Sequence, residues 1–327
     1  MLEDVEAVIL VGGKGTRLRP LTLSAAKPML PTAGVPFLAH LLSRIRAAGV
    51  RRAVLGTSYL AETFEQGFGD GSALGLELTY VTEEEPLGTG GGIRNVADRL
   101  TAETVLVFNG DVLCGTDLSA VVETHRRREA DVTLHLVRVP NPRAFGCVPT
   151  DAEGRVLAFL EKTEDPPTDQ INAGCYVFQR KVIDEIPAGR PVSVERETFP
   201  ALLAAGARVW GHVDNAYWRD LGTPADLVHG SADLVRGIAS VSEDNLASYA
   251  QIGYHGGNWN LRALVHHWQS LDEDLAPANR PFRVLPRISY DYRWMPLDSN
   301  FSQSLTADFT RFTHPRPDLV DVGLKQA

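Results

Sequence analysis

Residues 8–31, VILVGGKGTRLRPLTLSAAKPMLP, place Gly12, Gly13 and Gly15 directly behind an apolar run and gather Lys14, Arg17, Arg19 and Lys27 around them. A glycine loop brings backbone N–H groups close to an anion because no Cβ intervenes. With Arg17 and Lys27 supplying mobile positive charge, the stretch is suited to holding phosphate. Its spacing fits neither the G-x-G-x-x-G of dinucleotide folds nor the G-x-x-x-x-G-K-[ST] of P-loops. Two acids stand at the ends of other apolar runs, Asp111 in VFNGD and Asp220 in YWRDLGTP. No Ser/His/Asp or Cys/His constellation for nucleophilic catalysis is recognisable.

The carriers of these residues read as alternating strands and helices. VEAVIL is a continuous apolar run ending in glycines, as expected of a strand buried on both faces. Residues 36–50 carry apolar positions at helical spacing and stop at Gly49. RRAVLGTSY, LELTYVTEEE, TVLVFNGDVL and DVTLHLVRV read as further strands. AETFEQGFGDG, GTGGGIRNVADRL and DLSAVVETHRRREA between them read as helices. That alternation predicts βαβ units in a mostly parallel sheet, with ligands beyond the carboxyl ends of the strands. From about residue 144 shorter strands follow, with a hairpin turn at DAEG. SVERETFPALLAAG is predicted helical behind a Ser193 cap, and Pro224 opens another helix.

The chain has 327 residues, 44% hydrophobic and 22% charged, which is the composition of an ordinary globular protein. Its net charge of −9 argues against a nucleic-acid partner, while a local basic pocket is compatible with a small anionic ligand. No apolar run approaches the ~20 residues of a membrane-spanning helix, and the first residues have no signal-peptide pattern. Three widely spaced cysteines lack a metal-ligand pattern and point to a reducing compartment. The expectation is a cytoplasmic chain with neither a nucleic-acid nor a membrane partner.

GGKGTRLRPLT followed by KPMLP resembles the signature of the sugar-1-phosphate nucleotidyltransferases. PFLAHLL, FGDGSALGLELTYVTEEEPLGTGGGI, VFNGDVL, FLEK, INAGCYVF, SVERETFPALL and YWRDLGTP extend the resemblance, in order, over about residues 5–237. Within the family these blocks are most similar to the bacterial, actinobacterial-type mannose-1-phosphate guanylyltransferases. The resemblance implies an α/β, Rossmann-like nucleotide-diphospho-sugar transferase fold, a mixed, mostly parallel sheet flanked by helices. It also implies a catalytic domain over residues 1–237. The implied reaction is attack by the phosphate oxygen of a sugar 1-phosphate, here mannose 1-phosphate, on the α-phosphorus of GTP. Pyrophosphate leaves and GDP-mannose forms. Both substrates are anions, so catalysis is mainly neutralisation of repulsion and alignment of an in-line displacement.

The same likeness assigns residue roles. Leu10, Gly12, Gly13, Gly15, Thr16 and Arg17 surround the nucleotide, and Glu85, Leu87, Gly88 and Thr89 of EEEPLGTGG meet the base. Arg17 corresponds to the catalytic arginine, whose guanidinium fork pairs phosphate oxygens, and Lys27 to a catalytic lysine near the α-phosphate. Asp111 and Asp220 correspond to ligands of Mg²⁺, a hard, oxygen-seeking cation. Lys162 holds the sugar phosphate, Glu161 contacts sugar hydroxyls, and Gly146, Asn172 and Gly174 line the sugar pocket. Phe145 and Cys147 depart from the commonest family residues, which leaves heptose-, glucose- or valienol-type phosphates as alternatives to mannose. A non-catalytic, nucleotide-sugar-binding subunit is the alternative to an enzyme. A metal-dependent glycosyltransferase would carry Asp-x-Asp where this chain has Asp111-Val112-Leu113.

Cys147 and Cys175 are expected to face each other as packing residues. Residues 238–327 form a C-terminal extension without the hexapeptide period that commonly continues this family. Within it, NLRALVHHWQSL reads as helix-like. Its role is open, as is assembly into a homo-oligomer.

Overall fold

The buried apolar runs become the middle of a seven-stranded sheet in a computed structural model that describes residues 2–160, 163–235 and the backbone of four strands between 245 and 313. The first strands are β1 (Val5–Leu10), a two-residue hairpin of β2 (Pro31–Thr32) and β3 (Val35–Pro36), β4 (Arg52–Thr57) and β5 (Glu77–Thr82). They are followed by β6 (Thr104–Asn109), β7 (Val112–Cys114), β8 (Val132–Arg138), β9 (Gln170–Gln179), β10 (Val209–Asp214) and β11 (Trp218–Asp220). The sheet order is β10-β8-β9-β6-β1-β4-β5. β9 alone runs antiparallel to its neighbours, so the sheet is mixed and mostly parallel as expected.

Helices cover both faces. α1 (Phe37–Ala47), α2 (Glu62–Phe68) and α4 (Leu118–Arg127) contribute Leu41, Phe64 and Val121 to one core cluster. α3 (Gly88–Asn95), α5 (Arg180–Glu185) and α6 (Phe199–Ala204) contribute Ile93, Ile183 and Phe199 to the other. β1 feeds the two alternately, Ala7 and Ile9 to the first and Val8 to the second. That is why its sequence is apolar throughout rather than at every other position. α4 starts at Asp117, whose carboxylate accepts the Ser119 N–H at 2.8 Å, and ends with His125, Arg126 and Arg127 near its carboxyl pole. α7 (Pro224–Val235) follows β11.

The run predicted as one strand, TVLVFNGDVL, is two. Gly110 N–H donates to Leu10 O at 2.9 Å, and the chain then leaves the sheet. β7 pairs instead with β11, antiparallel, with Val112 opposite Asp220. Residues 144–160 form isolated bridges, Cys147 to Leu160 and Thr150 to Val156, around the expected DAEG turn. Cys147 and Cys175 do not face each other. Cys147 bridges to Ile171, four positions along β9 from Cys175, which lies opposite Phe108 in the core beside Cys114. Burial pushes the Cys175 thiol up.

The chain divides into two compact units, the second built on Ser242–Ala327. Its described strands, β12 (Asn245–His255), β13 (Trp259–Ser270), β14 (Arg283–Trp294) and β15 (Gln303–Thr313), form an antiparallel meander in chain order. The stretch read as helix-like is therefore β13. Trp259, Leu261, Ala263 and Val265 recur with period two, a pattern obscured by the flanking His266-His267-Trp268, and pairing to both β12 and β14 holds them extended.

Two buried histidines give the first unit opposite pH limbs. His125, fully buried, meets Thr133 Oγ1 at 3.0 Å and Gln179 Nε2 at 3.1 Å, and burial lowers its pKa to about 4. His135 is equally buried. Burial opposes its charge, but the 2.9 Å hydrogen bond to Asp214 Oδ1 and the neighbouring Cys114 overcome this and raise it to about 9. The unfolded chain titrates both near 6.5. Between 6.5 and about 4 the unfolded state takes up the His125 proton that the fold refuses, so stability falls with acid. The His135 contribution is complete below 6.5 and is lost as pH rises through about 9. Thermal unfolding followed across pH is expected to peak near 6.5, with His125→Asn flattening the acid limb and His135→Gln the alkaline one.

Candidate active site

Two pockets open at the carboxyl ends of the strands. The smaller, about 330 Å³, is lined by Leu10, Gly12, Gly13, Lys27, Glu83, Gly88, Thr89, Asn109 and Asp111, among others. The larger, about 610 Å³, is lined by Arg17, Phe145, Gly146, Asn172, Glu195, Arg196, Trp218, Arg219 and Asp220, among others. Each therefore has one of the two strand-end aspartates in its wall. The β7–β11 pairing sets these acids side by side, and Leu221 N–H donates to Asp111 O at 3.0 Å. Lys27 Nζ lies 2.7 Å from Asp111 Oδ2 and 3.8 Å from Asp220 Oδ1, so one ammonium spans both carboxylates. Burial raises the pKa of Asp220 and repulsion from Asp111 adds to it, against the attraction of Lys27 and Arg17.

The glycine loop turns tightly. Gly15 takes a left-handed φ of +56° and its carbonyl accepts the Thr22 hydroxyl at 2.8 Å. Thr16–Leu18 then make a single 3₁₀ turn that leaves Thr16 and Arg17 exposed. In the smaller pocket, Leu87 caps α3 and Gly88 and Thr89 open it. Of the acids 83–85, Glu83 lines the pocket, where burial raises its pKa and it accepts the Leu87 N–H at 3.2 Å. Glu85, the acid selected from the sequence, is exposed instead.

In the larger pocket Asn172 N–H donates to Gly146 O at 2.9 Å, and Asn172 Oδ1 accepts the Gly174 N–H at 3.1 Å. Gly174, with φ +73°, shapes the irregularity in β9 opposite Leu134–Leu136 from behind the wall. Glu161 and Lys162 lie outside the described residues. Sequence reasoning passed over Trp218, Arg219, Glu195 and Arg196 as pocket residues. Trp218 donates to Ala173 O at 3.0 Å and stacks edge-to-face on Phe145, with centroids 5.1 Å apart. Arg219 is tied to Asp233 at 3.0 Å. The available signal is adjacency, since YWRD carries Asp220 and both YWRDLGTP and SVERETFPALL belong to the blocks that carry the family resemblance.

The residues present fit a divalent cation. Asp111 and Asp220 converge on a position already spanned by the Lys27 ammonium, and Asn109 Oδ1, buried next to Asp111, has no hydrogen-bond partner among the described residues. Two hard carboxylates and an unfilled amide acceptor make an oxygen donor set. Arg17 adds cationic charge to the larger pocket and Lys27 to the smaller.

A nucleotidyl transferase family model matches residues 6–237. The chain belongs to the nucleotidyl transferase family. Mannose-1-phosphate guanylyltransferase of Mycobacterium tuberculosis is 72% identical over 237 residues, covering 72% of this chain and 66% of that protein. The Drosophila pseudoobscura mannose-1-phosphate guanylyltransferase catalytic subunit beta is 38% identical over 227 residues, covering 68% of this chain and 61% of that protein. This chain thus spans less than two thirds of the length of either relative. The crystal structure of HddC from Yersinia pseudotuberculosis complexed with GMP-PN superposes with a TM-score of 0.62 at 30% identity, covering 70% of this chain and 99% of that one. A second family model, LPS transport system D, matches residues 206–319, a stretch that includes β10–β15. No described helix is long and apolar enough to cross a membrane.

Gly222 tests the geometry of this candidate site. A Cβ there would stand 2.9 Å from both Arg17 Nη1 and Asp220 Oδ2. Both atoms end flexible side chains, so Gly222→Ala is expected to fold normally while displacing the two groups. Turnover should fall roughly 10²-fold with an unchanged melting temperature, read by steady-state kinetics beside thermal unfolding.

Proposed function

We propose that this chain joins mannose 1-phosphate to GTP, giving GDP-mannose and pyrophosphate. The observation that carries the reading is the Lys27-spanned pair of aspartates, one in each pocket, with Arg17 beside them. The choice of GTP and mannose rests on the 72% identity to the Mycobacterium tuberculosis enzyme. In this reading the smaller pocket takes the nucleoside and the larger one the sugar. Lys27 holds positive charge at the junction, where the attacking phosphate oxygen meets the α-phosphorus. Arg17 takes the β- and γ-phosphates and draws charge off as they leave. Trp218 and Phe145 give the sugar an apolar wall, and Asn172 and Glu195 offer polar contacts to its hydroxyls. Asp111 and Asp220 would hold Mg²⁺, which when bound neutralises phosphate charge and orients the triphosphate.

The reading places catalysis in residues 1–237 of a cytoplasmic enzyme and leaves 238–327 outside bond-making. All residues given a chemical role lie at or before Asp220. A chain ending at Gly237 is expected to retain GTP- and sugar-phosphate-dependent pyrophosphate release. Soluble, folded protein with no activity would place an essential group in the second unit.

The deciding experiment is pyrophosphate release over four NTPs and several sugar 1-phosphates with Mg²⁺. GTP with mannose 1-phosphate is expected to give the highest kcat/KM, and Asp111→Ala to lower it by about 10²-fold or more. Release with no combination would favour a nucleotide-sugar-binding subunit. A higher kcat/KM for another pair would reassign the substrates.

A further inference from the structure

The glycine run of EPLGTGGG serves close packing. A Cβ on Gly88 would stand 2.7 Å from Val192 O, one on Gly90 2.8 Å from Val192 Cγ1, and one on Gly91 2.9 Å from Arg190 O. Through this contact Gly90 and Gly91 N–H donate to Val192 O at 2.8 and 3.2 Å, and Val192 N–H donates back to Leu87 O at 2.8 Å. The segment leading to Glu195 in the larger pocket is thereby pressed against the first turn of α3, which carries Thr89 in the smaller one.

One hydroxyl joins them. Thr89 Oγ1 donates to Glu195 Oε2 at 2.8 Å and accepts the Val194 N–H at 3.0 Å. Ser193 Oγ donates to the same Oε2 at 2.7 Å. Both described hydrogen bonds to this carboxylate end on Oε2, so Oε1 is the oxygen offered to a hydroxyl in the larger pocket. Glu195 sits in a π-helical turn, Val194–Thr198, a rare conformation that this hydrogen bonding helps to hold.

We propose that the Thr89–Glu195 hydrogen bond couples the two pockets, so that a hydroxylated sugar phosphate in the larger one tightens nucleotide binding in the smaller one. The proposal rests on the function proposed above. A carboxylate held at both oxygens keeps one orientation, and Thr89 with the first turn of α3 is held with it. A nucleotide arriving second meets a wall already ordered. The effect is reciprocal, because a coupling free energy between two sites acts equally on both ligands. Thr89 is a positioning residue for the sugar side, and Glu195 for the nucleotide side.

Neither residue is among those lining the other's pocket, so cross-effects report the coupling. The measurement is calorimetric titration of the full chain with α,β-methylene GTP and Mg²⁺, with and without saturating mannose 1-phosphate. The wild type is expected to bind the analogue about 5-fold or more tightly with the sugar phosphate present. Thr89→Val should bring that ratio close to one, and Thr89→Ser, which restores the hydroxyl, should recover it. If Thr89→Val does not fold, Glu195→Ala is read by the same pair of titrations, with a ratio near one expected. A wild-type ratio of one, a wild-type ratio in Thr89→Val or in its substitute Glu195→Ala, or loss of the ratio in Thr89→Ser would overturn the proposal. Wild-type protein that releases no pyrophosphate with this substrate pair would instead overturn the functional reading, so the two failures are distinct.

Discussion

Two partly buried carboxylates brought together from distant parts of the chain repel unless a cation lies between them or one keeps its proton. Here that cation is the Lys27 ammonium, and much of the first unit can be understood as the means of placing it. β1 ends in the glycine loop, the loop returns through KPMLP, and the lysine reaches Asp111 at the end of β6 and Asp220 at the end of β11. The chain leaves the sheet at Gly110 so that β7 can pair with β11. That pairing is what brings the two acids within reach of one ammonium.

Close backbone approach is the second constraint. The glycines of the opening loop and those of GTGGG look alike in sequence and do different work. Gly12 and Gly13 line the smaller pocket, as does Gly88, while Gly88, Gly90 and Gly91 also let α3 lie against residues 190–192. That contact turns two adjacent clefts into a pair joined by hydrogen bonds through Thr89, Val194 and Glu195.

The second unit obeys other rules. It is an antiparallel meander of strands 11 or 12 residues long, against six residues for β1, β4, β5 and β6 in the first unit. Its register pairs Tyr254, Leu261, Tyr290 and Ala307 across four strands, and Ile252, Ala263, Ile288 and Phe309 in the next row on the same face. The match of residues 206–319 to a family model different from that of residues 6–237 agrees with this change of architecture.

By itself the sequence determined the alternation of strands and helices in the first unit, the glycine-rich, basic make-up of the opening loop, and the standing of Asp111 and Asp220 at the ends of apolar runs. These are local properties. Periodicity, glycine content and charge spacing act over a few residues and leave their mark in the chain itself. Tertiary structure alone decided which acid of EEE faces the pocket, that VFNGD breaks out of the sheet, that Cys175 lies beside Cys114 rather than Cys147, and that Trp218, Arg219 and Glu195 line a wall. Each depends on contact between segments 60 or more residues apart or on which side of a turn reaches the cleft, and no local pattern encodes that. The misread period in NLRALVHHWQSL has the same origin. Its aromatic and histidine run is compatible with either period, and pairing with β12 and β14 selects the extended form.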